Sequence, residues 1–501
     1  MALFCPIITF VILLPTLAGG THSRQTSVMI RVLPETPAKA FIEVSSAPSR
    51  TWSFRNEYAG VSELGKRIEA FKAFDSSGVE VSTHQLAPGQ FTTMSDAVKF
   101  RYEVNLTPPQ RAGDAARVSW VSGSRGLLML ADLLPTPETP QKGNNGDRPG
   151  QVHLNLPNGW IGYSNEREGA PATFVFEDAE TTILVIGDRL RASQISIAGL
   201  KLKLLTDSVW PFTDGEVTKE AADVLQAHYD LFGAMPTTRA TLTLLPFPTS
   251  PATEKWSAET RGTCVTILFA GQPAKRAALS QLSVPLTHEL FHLWIPNGLT
   301  LTGNYDWFYE GFTLYQSARV EVRLGFLTFQ EFLNAIARAY DSYLATADRD
   351  RWSLIEASQR RWTSGQSTVY NEGMVVAFLY DLKLREQSRN KRSLENVYAE
   401  LFHRHRGSSS GDHAALQPQD DANNVVMEAL SRELDMKEFV ADFVGRPARI
   451  NLSEAFKNSG LVADSFGVRS RISVGETLTR QQRDLLRDLG YNDSGRLRPR
   501  K

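Results

Sequence analysis

The chain has 501 residues, 42% of them hydrophobic and 22% charged, an ordinary make-up for a soluble globular protein of about two to four domains. A formal net charge of -1 leaves no electrostatic footprint for nucleic acid or an anionic membrane surface, and neither is expected as a partner. Two cysteines, Cys5 and Cys264, exclude a disulfide-built scaffold.

The opening run "MALFCPIITFVILLPTLAGGTHS" is apolar and turns small at Ala18, Gly19 and Gly20. It resembles a secretory signal peptide over residues 1–20 and predicts an exported protein, periplasmic or extracellular. The usual positive start is missing, so an uncleaved N-terminal anchor is the alternative. Pro6, Pro15 and the short apolar length argue against a permanent span, and no stable membrane span is expected after cleavage. Cys5 leaves with the leader. Cys264 then stands alone and is read as a buried small hydrophobe.

From about residue 26 to 205 the pattern is short, alternating and rich in β-branched residues. Examples are "SVMIRVL", "AFIEVSS", "VKFRYEVNL", "ARVSWVS", "ATFVFED" and "TTILVIG". Period-two alternation between clusters of Pro, Gly, Asn and Asp predicts an antiparallel β-domain. Near Thr218 the period changes. "TKEAADVLQAHYDLFGAMP" predicts a helix that stops at Gly233, and "RATLTLLPF" a strand. "SVPLTHELFHLW" predicts a short helix with Pro285 in its first turn and Pro296 to Gly298 ending it. A second helix is expected from Asp306 to Leu324. Thr328 and Glu331 form a capping-box pattern that opens a third. More helices are expected near 366–386, 393–405 and 423–444.

The chemistry is carried by "HELFHLW" and "WFYEGFTLY". On a helix, residues i and i+4 share a face, so His288 and His292 can aim both imidazoles at one ion. Glu289 can reach a water beside that ion without being a ligand. A catalytic zinc needs a third protein ligand, and the turn from Pro296 to Tyr305 allows the next helix to present Glu310. A chance HExxH arises in roughly one chain in a hundred of this make-up. The helical flanks, the Pro-Gly turn and the placing of Glu310 all count against chance. One zinc ion is the expected cofactor, with a peptide or protein as substrate.

These stretches resemble the gluzincin metallopeptidases, and among them the glycyl aminopeptidase family more closely than the aminopeptidase N family. "LNLPNGW", "HYDLFGAMP", "VYNEGMVVAFLYDLKLRE" and "FVGRPARINLSEAFKNSGL" extend the resemblance from about Gln151 to Leu461. It implies a multidomain chain: an N-terminal antiparallel β-domain (21–205), a thermolysin-like α+β peptidase domain (206–345), a mostly α-helical C-terminal domain (346–465) and a short tail (466–501). It also implies that Tyr370, in "VYNEG", donates a hydrogen bond to the tetrahedral oxyanion. The C-terminal PDZ domain common in the family is not expected, since about forty residues follow Leu461.

One stretch departs from the family. Upstream of HExxH the family carries a Gly-Gly-Leu-Glu-His-like strand whose glutamate is expected to hold the substrate's free amine. The corresponding stretch is read as "AETRGTCVTILFAG", with Gly262 retained at the substrate, Cys264 or Val265 at the glutamate's place, and Glu259 out of register. The resemblance implies an aminopeptidase, and the missing glutamate favours the alternative, an endopeptidase or dipeptidase on the same zinc. From another class, a binding module with structural zinc is the rival, disfavoured because such a site has no need of Glu289. "GSSSG" (407–411) formally fits a serine-hydrolase elbow but sits in a polar linker.

Overall fold

A computed structural model describes residues 26–137, 149–251, 255–407, 421–466 and 469–492. The leader with Cys5, and "GSSSG" apart from Gly407, lie outside the described residues.

The N-terminal part is β-structure, as the alternation predicts. A ten-stranded sheet is built around Thr26–Leu33, which pairs antiparallel with Lys39–Ser53 and parallel with Gly150–Asn155. Val28, Ile30 and Val32 alternate inward and join Trp52, Phe54, Phe91, Phe100 and Tyr102 in one core. A four-stranded sheet packs beside it, with Ile183–Gly187 at its centre. That strand is apolar on both faces because both faces are covered. Leu184 and Ile186 enter the core of the large sheet. Ile183 and Val185 meet Leu205, Leu245, Cys264 and Leu268 of the next sheet. Cys264 is free and buried, and burial pushes its thiol up to about 12.

That next sheet has five strands, in the order Arg191–Ile197, Leu200–Thr206, Arg239–Pro246, Cys264–Phe269 and Trp256–Arg261. Its first two strands were expected in the N-terminal domain, which the sequence reading carried to residue 205. They form a hairpin whose second strand runs parallel to Arg239–Pro246. Alternation cannot say which sheet a strand joins; pairing decides it. The crossover between these parallel strands is the helix Asp214–Phe232, capped by Thr213 with Glu216 and closed by Gly233 in the left-handed conformation. Trp256–Arg261 is an antiparallel edge.

The motif helix runs from Lys275 to Phe291, eight residues longer at its start than expected, with Pro285 inside it and not in its first turn. Ala278, Leu282, Leu286 and Leu290 recur every fourth residue and are fully buried. This stripe carries the helix through the proline, whose missing N–H leaves the Gln281 carbonyl without its usual donor. Trp307–Phe312 is a π-helical turn that continues into Thr313–Leu324. Thr328 and Glu331 cap Phe329–Ala345 as predicted. The long helix Gly373–Ser388 follows the π-helical turn Thr368–Glu372.

No break in the core divides 206–345 from 346–465. A single cluster runs from Ile197 to Leu489. The expected tail is part of it: Leu485, Leu486 and Leu489 are buried there, and Arg319 donates to the carbonyls of Leu489 and Asp488 at 2.5 and 2.9 Å. Among the described residues no helix is long and apolar enough to cross a membrane.

Candidate active site

The end of the motif helix faces a cleft of about 1280 Å³. His288, Glu289, His292 and Glu310 line it, and each is only 6% exposed. His292 donates from Nδ1 to the Ile295 carbonyl at 2.9 Å, a tautomer that leaves the Nε2 lone pair free. His292 Nε2 and His288 Nε2 are 3.1 Å apart. Glu310 Oε2 lies 3.1 Å from His288 Nε2 and 3.6 Å from His292 Nε2.

This donor set fits zinc. Tetrahedral bonds of about 2.0–2.1 Å put neighbouring ligand atoms roughly 3.3 Å apart, and the three separations bracket that value. Glu289 also places a carboxylate oxygen within 4.8 Å of the imidazole nitrogens. Glu310 Oε2 stands within 3.6 Å of both imidazole nitrogens, whereas Glu289 Oε2 is engaged by the Thr260 hydroxyl. His288 Nδ1 is buried with no hydrogen-bond partner among the described residues.

Two glycines bring the elements together. A Cβ on Gly311 would stand 2.3 Å from the Val369 carbonyl oxygen and 2.7 Å from Gly373 Cα. A Cβ on Gly373 would stand 3.0 Å from Gly311 Cα. The turn that carries Glu310 and the turn that carries Tyr370 therefore touch backbone to backbone, which requires the absence of both side chains. The Glu-Gly sequences of "YEGF" and "NEGM" are the local mark of this contact.

Glu289 Oε2 accepts a 2.6 Å hydrogen bond from the Thr260 hydroxyl on the edge strand. Burial pushes the Glu289 carboxyl up, against the pull of His292, His288 and Thr260. Burial also opposes ionisation of Glu310, but Arg361 and His292 outweigh it and hold that carboxyl well below the usual range. The Tyr370 phenol is raised well above 10 by burial and by nearby Glu310, so it stays protonated.

The cleft thus gathers five of the six sequence-derived site residues: His288, His292, Glu310, Glu289 and Tyr370. Gly262 is not among its lining residues. It occupies the turn between Trp256–Arg261 and Cys264–Phe269 at φ +53°, where a Cβ would stand 2.9 Å from Thr181. Cys264 and Val265 are buried in the inner strand, so neither stands where an amine-binding glutamate would. Of this hairpin, Glu259 on the edge strand lines the cleft. Tyr58 donates to Glu259 Oε1 at 2.6 Å, and Arg117 Nε lies 3.6 Å from Oε2. Glu259 precedes the turn at Gly262, and Cys264 and Val265 follow it on the inner strand.

Thr260, Asp306, Arg361, Tyr58 and Arg117 line the cleft as well, and sequence reasoning missed them. The polar run "SAETR" on a strand beside the motif was a usable signal for Thr260. Tyr58 and Arg117 come from the N-terminal domain, far away along the chain, and nothing local marks them.

Residues 282–377 match the family model of M61 glycyl aminopeptidase. No curated protein matches the chain. Among solved structures it is similar to an aminopeptidase N family protein from Idiomarina loihiensis, with a TM-score of 0.73 and 17% identity over 88% of this chain and 79% of that one. It is also similar to the M1 zinc metallopeptidase from Deinococcus radiodurans, with a TM-score of 0.52 and 12% identity over 85% of this chain and 94% of that one. A mutant of that enzyme bound to the substrate Tyr-Ser-Ala gives a TM-score of 0.50 and 13% identity over the same shares. At such identities the structural likeness is one of fold. The matched stretch holds His288, Glu289, His292, Glu310 and Tyr370, and motif and fold agree: residues 282–377 are similar to the M61 glycyl aminopeptidase family, on a fold similar to that of aminopeptidase N family proteins.

Proposed function

We propose that the protein is an exported aminopeptidase that works with one zinc ion held by His288, His292 and Glu310. The observation that carries this is the convergence of two imidazole nitrogens and one carboxylate oxygen at 3.1–3.6 Å from one another in the wall of a cleft. The ion, when bound, supplies Lewis acidity that makes water nucleophilic near neutral pH. Glu289 accepts the proton of the attacking water and returns it to the leaving amine. Thr260 fixes the carboxylate for that exchange. Tyr370 donates its phenolic hydrogen to the oxygen on which negative charge develops, where the hydrogen bond is strongest. Glu259, on the edge strand that borders the cleft, is the carboxylate for a substrate's free ammonium group.

Export rests on the leader at residues 1–20, and mass measurement of the mature N-terminus tests it. The zinc reading is tested by metal content and chelation. Stoichiometric zinc and loss of hydrolysis on chelation are expected; a metal-free active protein overturns the reading. One observation favours endopeptidase action as a second reading, namely that Glu259 is already engaged by Tyr58 and Arg117. Rates on aminoacyl reporter amides against N-blocked peptides decide between the two.

A further inference from the structure

The sequence Ser-Gln-Arg-Arg-Trp at 358–362 sets two arginines side by side, and the fold separates them. Arg360 lies 4.2 Å over the Trp352 ring. Arg361 turns inward, 8% exposed, with its guanidinium 4.2 Å over the Trp362 ring. Its Nη1 donates to Asp306 Oδ1 at 2.7 Å and to the Tyr309 oxygen at 3.2 Å. Its Nη2 lies 2.7 Å from Glu310 Oε1 and donates to the Tyr370 oxygen.

A guanidinium buried this far is costly unless carboxylates compensate it, and Asp306 and Glu310 both do. What the contacts leave over matters more. Arginine has five donors and no acceptor. Its bond to Tyr370 therefore occupies a lone pair of the phenol oxygen and leaves the phenol hydrogen unspent. Its contact with Glu310 occupies Oε1 and leaves Oε2 facing both Nε2 atoms. Which oxygen of Glu310 and which side of the Tyr370 hydroxyl face the histidines are thus set by one side chain.

We infer that Arg361 is a positioning residue that couples the third metal ligand to the oxyanion donor, presenting Glu310 through Oε2 and Tyr370 through its hydrogen. The inference rests on the metallopeptidase reading above. Its fork geometry is essential, because one nitrogen must reach Glu310 and Tyr370 while the other holds Asp306. Lysine can supply the charge but not two such contacts.

The test uses the full chain with Arg361→Met, Arg361→Lys and the double variant Arg361→Met with Asp306→Asn. The double variant removes the carboxylate that the single one leaves buried without its cation. Zinc affinity is measured by competition with a chromogenic chelator, alongside kcat, KM and the thermal midpoint. Residues that orient metal ligands typically affect metal affinity by about ten- to a hundredfold, and a loss of that size is expected in Arg361→Met. Expected too are a fall in kcat at nearly constant KM, and a double variant that recovers thermal stability without recovering zinc affinity. Arg361→Lys regains part of the affinity and little of the kcat. A folded Arg361→Met or double variant with wild-type zinc affinity and kcat overturns the inference. If Arg361→Met does not fold, the double variant and Arg361→Lys decide. Wild-type protein that takes up no zinc overturns the metallopeptidase reading instead, so the two failures are distinguishable.

Discussion

The Thr260 hydroxyl lies 2.6 Å from Glu289 Oε2 and 3.1 Å from the Glu289 carbonyl, so a residue of the sheet edge is fastened to the motif helix at the carboxylate the reaction needs. The strand that borders the cleft and the side chain proposed as general base are thereby tied together.

Replacing Thr260 with valine keeps the shape and removes the donor. The Glu289 carboxylate then loses a charge-assisted hydrogen bond, which is worth about 1.5–3 kcal/mol. We expect kcat to fall about tenfold or more with zinc content unchanged, measured by steady-state kinetics beside metal analysis. Glu289→Gln in the same assay retains zinc and loses roughly 10²- to 10⁴-fold in rate, the usual contribution of a general base.

Glu259→Gln separates amine recognition from hydrolysis. An ammonium group paired with Glu259 loses a charge-assisted contact in this variant. KM for aminoacyl reporters is expected to rise about tenfold, while N-blocked peptides are hydrolysed as before. An equal loss on both substrates removes Glu259 from amine binding.

His228 makes stability depend on pH. Its Nε2–H donates to the Thr287 carbonyl at 3.2 Å inside the motif helix, and its ring packs against Phe291 and Trp294. Burial holds its pKa down at about 3, against an ordinary value of 6.5. A histidine lowered on folding binds its proton more weakly folded than unfolded. Its contribution is complete above pH 6.5 and is lost as pH falls from 6.5 towards 3. The slope from this one proton approaches about 1.4 kcal/mol per pH unit. Urea midpoints measured from pH 7.5 down to 4.5 check it, with His228→Gln showing a flatter decline than the parent.

Gly311→Ala tests the contact between the two turns. The added methyl meets the Val369 carbonyl and Gly373 Cα, backbone atoms that cannot rotate away. Overpacking of this kind costs about 1–3 kcal/mol, read as a lower denaturant midpoint. Zinc affinity should fall with it, because Glu310 moves with its turn.

The candidate zinc donors were legible because the helix makes them local. His288 and His292 share a face by period alone, and a short connection returns the chain to Glu310. The capping box at Thr328 was legible for the same reason, being complete within four residues. The fate of the stretch around Gly262 was not legible, because a hairpin reverses there and neighbours in sequence part: Cys264 is in the core and Glu259 on the cleft. The strands from Arg191 to Thr206 alternate as those before them do, and only parallel pairing with Arg239–Pro246 assigns them to the peptidase sheet.

By itself, then, the sequence determined that His288 and His292 share one helical face with Glu289 beside them, and the order of β-structure followed by helices. These follow from periodicity and capping, whose physics extends over a few residues. Tertiary structure alone decided what surrounds the motif: Thr260 behind Glu289, Tyr58 and Arg117 against Glu259, and Arg361 between Glu310, Asp306 and Tyr370. Such partners meet through strand pairing and close backbone packing, across separations that no local pattern records.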